Sequence, residues 1–195
     1  MADKRRNLAI PSRRQVLAGF GAVTLAGLAG PARADALAAA KAGGHVILMR
    51  HAIAPGTGDP ETFDVNDRTT QRILSEEGRA QARRTGDALR AAGVPVDRVL
   101  TSQWWRCEET ALLLDMGPVE PFPEALNSFF RRPGERDGRV AALTGFIRGW
   151  RGAGNALCVT HQVNITGTTG VFPASGELVV VAPQGVAVAG RLGPY

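Results

Sequence analysis

The stretch "HVILMRHAIAPGTGDP", residues 45–60, runs a short apolar segment of strand length into Arg50 and His51. A loop dense in Gly, Pro and Asp follows, from Ala54 to Asp67. Two more segments of the same kind occur later. "DRVLTS" ends in Ser102, with Arg106 one helical turn further on, and "ALCVTH" ends, like the first, in a histidine, His161. Stretches with helical periodicity lie between them. "LSEEGRAQARRTGDALRAAG" places Ser75 at an N-cap, Glu76 and Glu77 in the first turn, and Ala82, Gly86 and Leu89 at helical spacing, and it stops at Gly93 and Pro95. "WWRCEETALLLDM" predicts a second helix and "RVAALTGFIRGWRGAG" a third, with Val140, Leu143, Ile147 and Trp150 on one face. The Pro-bearing connection "GPVEPFPEALNSFFRRPGERDG" reads as loop with short helical turns, and "GELVVVAPQGVAVAGRL" as two strands around Pro183-Gln184-Gly185. Short apolar strands alternating with helices predict an α/β domain, a three-layer sandwich around a mostly parallel central sheet with a C-terminal β-hairpin.

A chain of 195 residues suits one domain with a sizeable core. Its formal charge of +5 invites a nucleic-acid partner, but the distribution of charge argues against one. Residues 1–34 hold six of the 23 Lys and Arg and one of the 18 Asp and Glu, so the remainder is balanced. This N-terminal segment has a basic start, the twin arginine Arg13-Arg14, a mildly apolar run from Val16 to Gly30, and Ala32-Arg33-Ala34. Such an order reads as an export signal with a small-residue cleavage site. The twin arginine addresses it to the twin-arginine export machinery, which carries folded proteins. The apolar run falls short of the roughly 20 residues of a membrane span, and no cysteine near the cleavage site offers a lipid anchor. The expectation is a signal over residues 1–34 and one domain over residues 35–195, periplasmic or secreted and without a stable membrane anchor. "ALAAAKAGG" reads as an Ala/Gly-rich continuation of the leader. Cys107 and Cys158 read first as buried small hydrophobes.

Parallel α/β sheets place their sites outside the carboxyl ends of the strands. By that rule Arg50, His51, Arg106 and His161 converge on one edge. Two guanidinium forks bind phosphate oxygens in bidentate fashion and stay charged at any working pH. An imidazole between them can act as nucleophile and split phosphate-ester hydrolysis into two easier steps, while the fixed positive charge stabilises the transferring group.

At these residues the sequence resembles the histidine phosphatase superfamily, the fold shared by phosphoglycerate mutases and many acid phosphatases. "LMRHA" matches its strand-plus-Arg-His signature, "TSQWWRCEETA" its Ser-x-x-x-Arg-x-x-x-Thr-Ala stretch, and "CVTHQ" its second-histidine strand. "LSEEGRAQA" fits the intervening helix, and the likeness runs in order from about His45 to about Val181. It is closest to the small, exported, single-domain members. The resemblance implies a phosphoglycerate mutase-like fold with His51 as nucleophile, Arg50 and Arg106 as phosphate clamps, and His161 bonded to the phosphoryl oxygens. It also implies a small phosphorylated substrate or phosphohistidine, and no cofactor or metal. Gln162 and Arg72 join the phosphate-binding set by the same carry-over.

Two departures stand out. Ala52 replaces the glycine of the usual Arg-His-Gly. Ser128 stands where the mutases carry a glutamate proton donor, and Gln162 stands where acid phosphatases often carry aspartate. General acid catalysis is worth about 10²–10⁴-fold, so its absence steers an enzyme toward good leaving groups such as phosphohistidine or acyl phosphates. Asp59, Glu61, Asp64 and Glu124 all lie in loops that could supply a donor.

Taken singly, these residues have ordinary readings. His161 alone is a satisfied structural histidine, Arg106 alone a surface residue, His45 structural, and Trp104 and Trp105 packing residues of which one could line the entrance. Glu108 and Glu109 read as acids of a helical first turn, and "FFRRPGERDGR" as a solvated loop. Their joint occurrence at three strand ends, in order, carries the catalytic reading. A serine hydrolase needs a Gly-x-Ser-x-Gly elbow, which the chain lacks, and a zinc enzyme needs a denser ligand set. The serious rival is an exported binding module that keeps the phosphate pocket and does little chemistry. Specificity is expected from the loops Ala54–Asp67 and Pro118–Gly138.

Overall fold

The computed structural model describes residues 33–195. The expected export signal lies outside the described residues, except for Arg33 and Ala34, which open a helix. That helix, α1 (Arg33–Ala42), is not predicted by the sequence, where "ALAAAKAGG" reads only as an Ala/Gly-rich tract at the start of the expected domain. Ala36 and Ala40, one turn apart, are fully buried, and α1 packs on the last strand of the sheet.

The remaining elements follow in chain order: β1 (Val46–Arg50), α2 (Glu76–Ala91), β2 (Val96–Thr101), α3 (Trp105–Leu114), β3 (Val119–Pro121), α4 (Pro123–Leu126), α5 (Arg136–Gly149), β4 (Asn155–Thr160), α6 (Gln162–Thr169), β5 (Leu178–Ala182) and β6 (Ala187–Leu192). Among the described residues the sheet has six strands in the order β3-β2-β4-β1-β5-β6. Strands β3, β2, β4 and β1 run parallel, while β5 and β6 form the antiparallel hairpin expected around Gly185. Alternate residues of each strand serve opposite faces. Ile47, Met49, Val99, Leu157 and Val159 pack under Ala36, Leu89, Cys107, Ala111 and Leu114 from α1, α2 and α3. Val46, Leu48, Leu100, Ala156 and Cys158 pack under Leu126, Leu143, Ile147, Trp150 and Ile165 from the other side. Three layers result. Covering on both faces explains why "VILM" and "ALCV" read as unbroken apolar runs.

Helix α2 begins as its sequence predicts. The Ser75 side chain accepts from the backbone N–H of Gly78 at 3.0 Å, an N-cap that satisfies one of the orphan donors. Close approach, rather than backbone freedom, demands Gly86, since a Cβ there would overlap the carbonyl of Leu114 where α2 crosses α3. Arg79 and Glu109 clasp the same two helices, with Nε to Oε1 at 2.7 Å, so Glu109 does more than face the helix dipole. Leu143 and Ile147 lie on the inner face of α5 and Trp150 packs with them from its C-cap, while Val140 faces Gly167 of α6; α5 starts at Arg136, within the stretch expected to be loop. Both cysteines are free and buried, in line with their reading as small hydrophobes.

Candidate functional site

Sheet register sets the site. Arg50 pairs with Thr160 across β1 and β4, so the chains leave the sheet together and His51 and His161 emerge side by side, ring centroids 5.6 Å apart. Backbone bonds hold both exits: His51 N–H donates to Thr160 O at 2.9 Å, and Ser102 N–H to Val159 O at 3.1 Å. Helix α3 starts after Ser102 and sets Arg106 over the two imidazoles. All three groups are nearly buried, His51 and Arg106 at 3% exposure and His161 at 4%.

Hydrogen bonds fix the tautomer of each ring. A carbonyl can only accept, so the 2.8 Å contact between His51 Nδ1 and Ala52 O puts the proton on Nδ1. Nε2 then presents its lone pair, and it accepts from Arg106 Nε at 3.2 Å. His161 is arranged the other way round. Its Nδ1 faces Arg106 Nη2 at 3.4 Å and its Nε2–H donates to Ser102 Oγ at 2.9 Å, while Ser102 donates on to Asn127 Oδ1 at 3.2 Å. Burial, and after it the charge of Arg106, holds both rings well below the ordinary histidine range. They are therefore neutral. For His51, desolvation is a larger cause than the charges of the arginines around it.

The cavity above these rings, about 110 Å³, brings together every residue singled out from the sequence: Arg50, His51, Arg72, Arg106, His161 and Gln162. Arg50 Nη1 donates to Pro173 O at 3.0 Å, and Arg72 Nη1 to Gly56 O. The Nε groups of both are buried without a hydrogen-bond partner, a costly state that an anion in the cavity would relieve. Burial, then the neighbouring Arg106 charge, lowers the pKa of each. Helix α6, absent from the sequence reading, begins at Gln162 immediately after His161, and Gln162 and Val163 line the cavity. Its first-turn N–H groups add partial positive charge there.

Of the four loop carboxylates, the fold separates one. Glu61, Asp64 and Glu124 are exposed and do not line the cavity. Asp59 lines it, with its side chain 12% exposed, and its two oxygens accept from Arg106 Nη1 at 2.5 Å and Nη2 at 3.2 Å. Trp104 Nε1 donates to the same carboxylate at 3.0 Å. Burial raises the Asp59 pKa, but the bonds and charge of Arg106, with help from Trp104, outweigh it and leave the carboxyl below its ordinary value. Trp104 is thus a packing residue, stacked on Phe63 and edge-on to His161, that also holds a site carboxylate. Trp105 faces elsewhere, with Arg68 lying over its ring. Ser128 lines the cavity with a hydroxyl in place of an acid, and Phe130, from the stretch read as solvated loop, forms part of its wall.

Comparison with known proteins bears on the fold and on part of the sequence. Among solved structures, the protein histidine phosphatase SixA in complex with tungstate superposes with a TM-score of 0.55 at 19% identity, covering 77% of this chain and 97% of that one. A second SixA, a phosphohistidine phosphatase by its description, from Agrobacterium tumefaciens, gives 0.56 at 18% identity, covering 77% and 98%. At these identities the likeness is one of fold. Serine/threonine-protein phosphatase Pgam5, mitochondrial, of Drosophila virilis is 39% identical over 72 residues, 37% of this chain. That match spans 22% of the relative's length. Residues 46–124, which include Arg50, His51 and Arg106, match the histidine phosphatase superfamily (branch 1). With its mixed, mostly parallel sheet and this matched segment, the chain is similar in fold to these phosphatases and, over residues 46–124, in sequence to the histidine phosphatase superfamily.

Proposed function

We propose that the protein is an exported, metal-independent phosphohydrolase that works through a phosphohistidine on His51. One observation carries the reading: Nδ1–H of His51 is bound to Ala52 O, and its Nε2 lone pair faces the cavity beneath Arg106. A neutral imidazole in this tautomer attacks phosphorus from Nε2, and the Ala52 carbonyl steadies the charge that develops on the ring. Arg50, Arg72 and Arg106 surround the phosphoryl oxygens, and Gln162 and the first turn of α6 supply further donors. His161, with its Nε2–H on Ser102 and its Nδ1 lone pair toward Arg106 Nη2, orients Arg106 beside the phosphoryl oxygens. The substrate is a small phosphorylated molecule or a phosphohistidine. The named activities of the relatives, protein histidine phosphatase and serine/threonine-protein phosphatase, support phosphoryl groups as the target. Export through the twin-arginine machinery rests on residues 1–34. The binding-module reading drew its force from a missing carboxylate, and Asp59 in the cavity weakens it.

The experiment follows hydrolysis of p-nitrophenyl phosphate and phosphoramidate by the full chain beside His51→Ala, with trapping of labelled phosphate on protein by an alkaline denaturing quench, in which a P–N bond survives. Turnover and label on the wild type, both lost in the variant and unaffected by chelator, are expected. Phosphate binding without turnover or label would return the binding module.

A further inference from the structure

Every nitrogen of Arg106 is engaged. Its Nε donates to the His51 lone pair, and both terminal nitrogens donate to the two oxygens of Asp59. A carboxylate on a guanidinium fork has the geometry of a phosphate on the same fork. In the free protein Asp59 therefore occupies, on Arg106, the donors that a phosphoryl group needs, and both cannot hold them at once. The anchor on the other side of the carboxylate is a single bond from Trp104. Asp59 itself sits in the segment between Ala52 and Leu74, within reach of the cavity mouth and on the side of Arg106 away from His51.

Building on the phosphohydrolase reading, we infer that Asp59 is an exchangeable carboxylate: an internal stand-in for phosphate on Arg106 in the free protein, and the proton donor to the leaving oxygen once substrate displaces it. The same contacts that now keep it ionised, the bonds and charge of Arg106, are the ones a phosphate ester removes. Burial and the arriving negative charge then both favour the protonated form.

Each step balances. A proton from solvent joins Asp59 as the dianionic ester settles on Arg106. The Nε2 lone pair of His51 forms a bond to phosphorus while the ester P–O bond breaks. The electron pair of that bond stays on the leaving oxygen, which takes the Asp59 proton and departs as an alcohol. Water then attacks phosphorus, its proton passes to the Asp59 carboxylate, and the P–N electron pair returns to His51 Nε2. The products are one alcohol and one phosphate. A donor in this place removes the restriction to good leaving groups implied by Ser128 and Gln162, so the substrate class extends to phosphate monoesters of ordinary alcohols.

The test compares the full chain with Asp59→Asn on phosphoramidate, p-nitrophenyl phosphate and glycerol 2-phosphate, whose leaving groups need a proton to increasing degrees. The loss in kcat/KM should grow along the series, with glycerol 2-phosphate losing about 10²–10⁴-fold, and inorganic phosphate should inhibit the variant at lower concentration than the wild type. An equal loss on all three substrates overturns the donor role and leaves the phosphatase reading standing. A wild type inactive on all three overturns that reading and this one with it. A second measurement uses wild-type protein alone: calorimetry of sulfate binding near pH 7 in buffers of different ionisation enthalpy. Sulfate takes up no proton itself at that pH, so uptake approaching one proton per ion bound is expected. Uptake of none overturns the exchange.

Discussion

Replacing Ser102 by Ala removes one oxygen from the centre of the site. Ser102 Oγ accepts from His161 Nε2–H at 2.9 Å and from Trp104 N–H at 3.3 Å, and it donates to Asn127 Oδ1 at 3.2 Å. Asn127 keeps a compensating bond, since Gln103 N–H reaches the same oxygen at 2.9 Å. The Trp104 contact is long. The His161 Nε2–H bears most of the damage: a buried donor without an acceptor costs about 1–3 kcal/mol. A stability loss of about 2 kcal/mol corresponds to a fall in Tm of about 4–8 °C for a chain of this size. The ring can recover part of that by moving its proton to Nδ1, but this turns a donor against Arg106 Nη2, which now faces Nδ1 at 3.4 Å. His161 then no longer accepts from Arg106 Nη2, and Arg106 loses one of the contacts that orient it toward a phosphoryl group. If about 1.4 kcal/mol of the loss falls on the transition state, kcat/KM drops tenfold. Urea titration reads the first quantity, steady-state hydrolysis of p-nitrophenyl phosphate the second, and ¹⁵N shifts of His161 the tautomer. A stability change below about 0.5 kcal/mol, with His161 still protonated on Nε2, would refute the relay.

Other consequences follow from the same structure. Gly86→Ala pushes a methyl into the Leu114 carbonyl and should cost about 1–3 kcal/mol in chemical denaturation by separating α2 from α3; a neutral result would mean that the crossing is loose. Burial lowers the native pKa of His51 and His161 below their ordinary 6.5. Below that pH the unfolded chain binds the extra protons, so stability should fall on acidification by up to about 1.4 kcal/mol per pH unit per histidine, and His161→Asn should lessen the slope. For the same reason the nucleophile stays neutral in mild acid, and a rate confined to alkaline pH would contradict it. Burial pushes the thiols of Cys107 and Cys158 up to about 12, so a thiol reagent should modify neither in the native protein and both in denaturant.

Much of this arrangement was legible before the structure because each strand announces its end. Arg50-His51, Ser102 and His161 each follow an apolar run closed by a polar residue, and the fold rule for parallel sheets brings such ends together. Helix α6 was illegible. "QVNITGTT" has three Thr and one Gly, all poor helix formers, and tertiary packing of Ile165 and the side-chain bonds of Asn164 to Ala125 O and Asn127 O hold it. Helix α1 was missed for the opposite reason: alanines suit a leader as well as a tight helix–sheet contact, and only the partner decides. Asp59 was one of four equivalent acids because loop paths carry no periodic signal. What distinguishes it is two partners distant in sequence, Trp104 and Arg106.

His51, Ser102 and His161 extend from three neighbouring strands, β1, β2 and β4, that hydrogen-bond to one another at the middle of the sheet. Asp59 and Arg72, which complete the cavity, come from the irregular segment between β1 and α2. The two sets answer to different pressures. A change on a strand disturbs both layers of the core at once, while exposed positions of the connecting segment, such as Pro60, Glu61 and Thr62, touch neither layer. Descent with modification therefore has an open route here: a lineage can change what the cavity takes by rewriting the connection that carries Asp59 and Arg72, while His51, Ser102 and His161 stay on their strands.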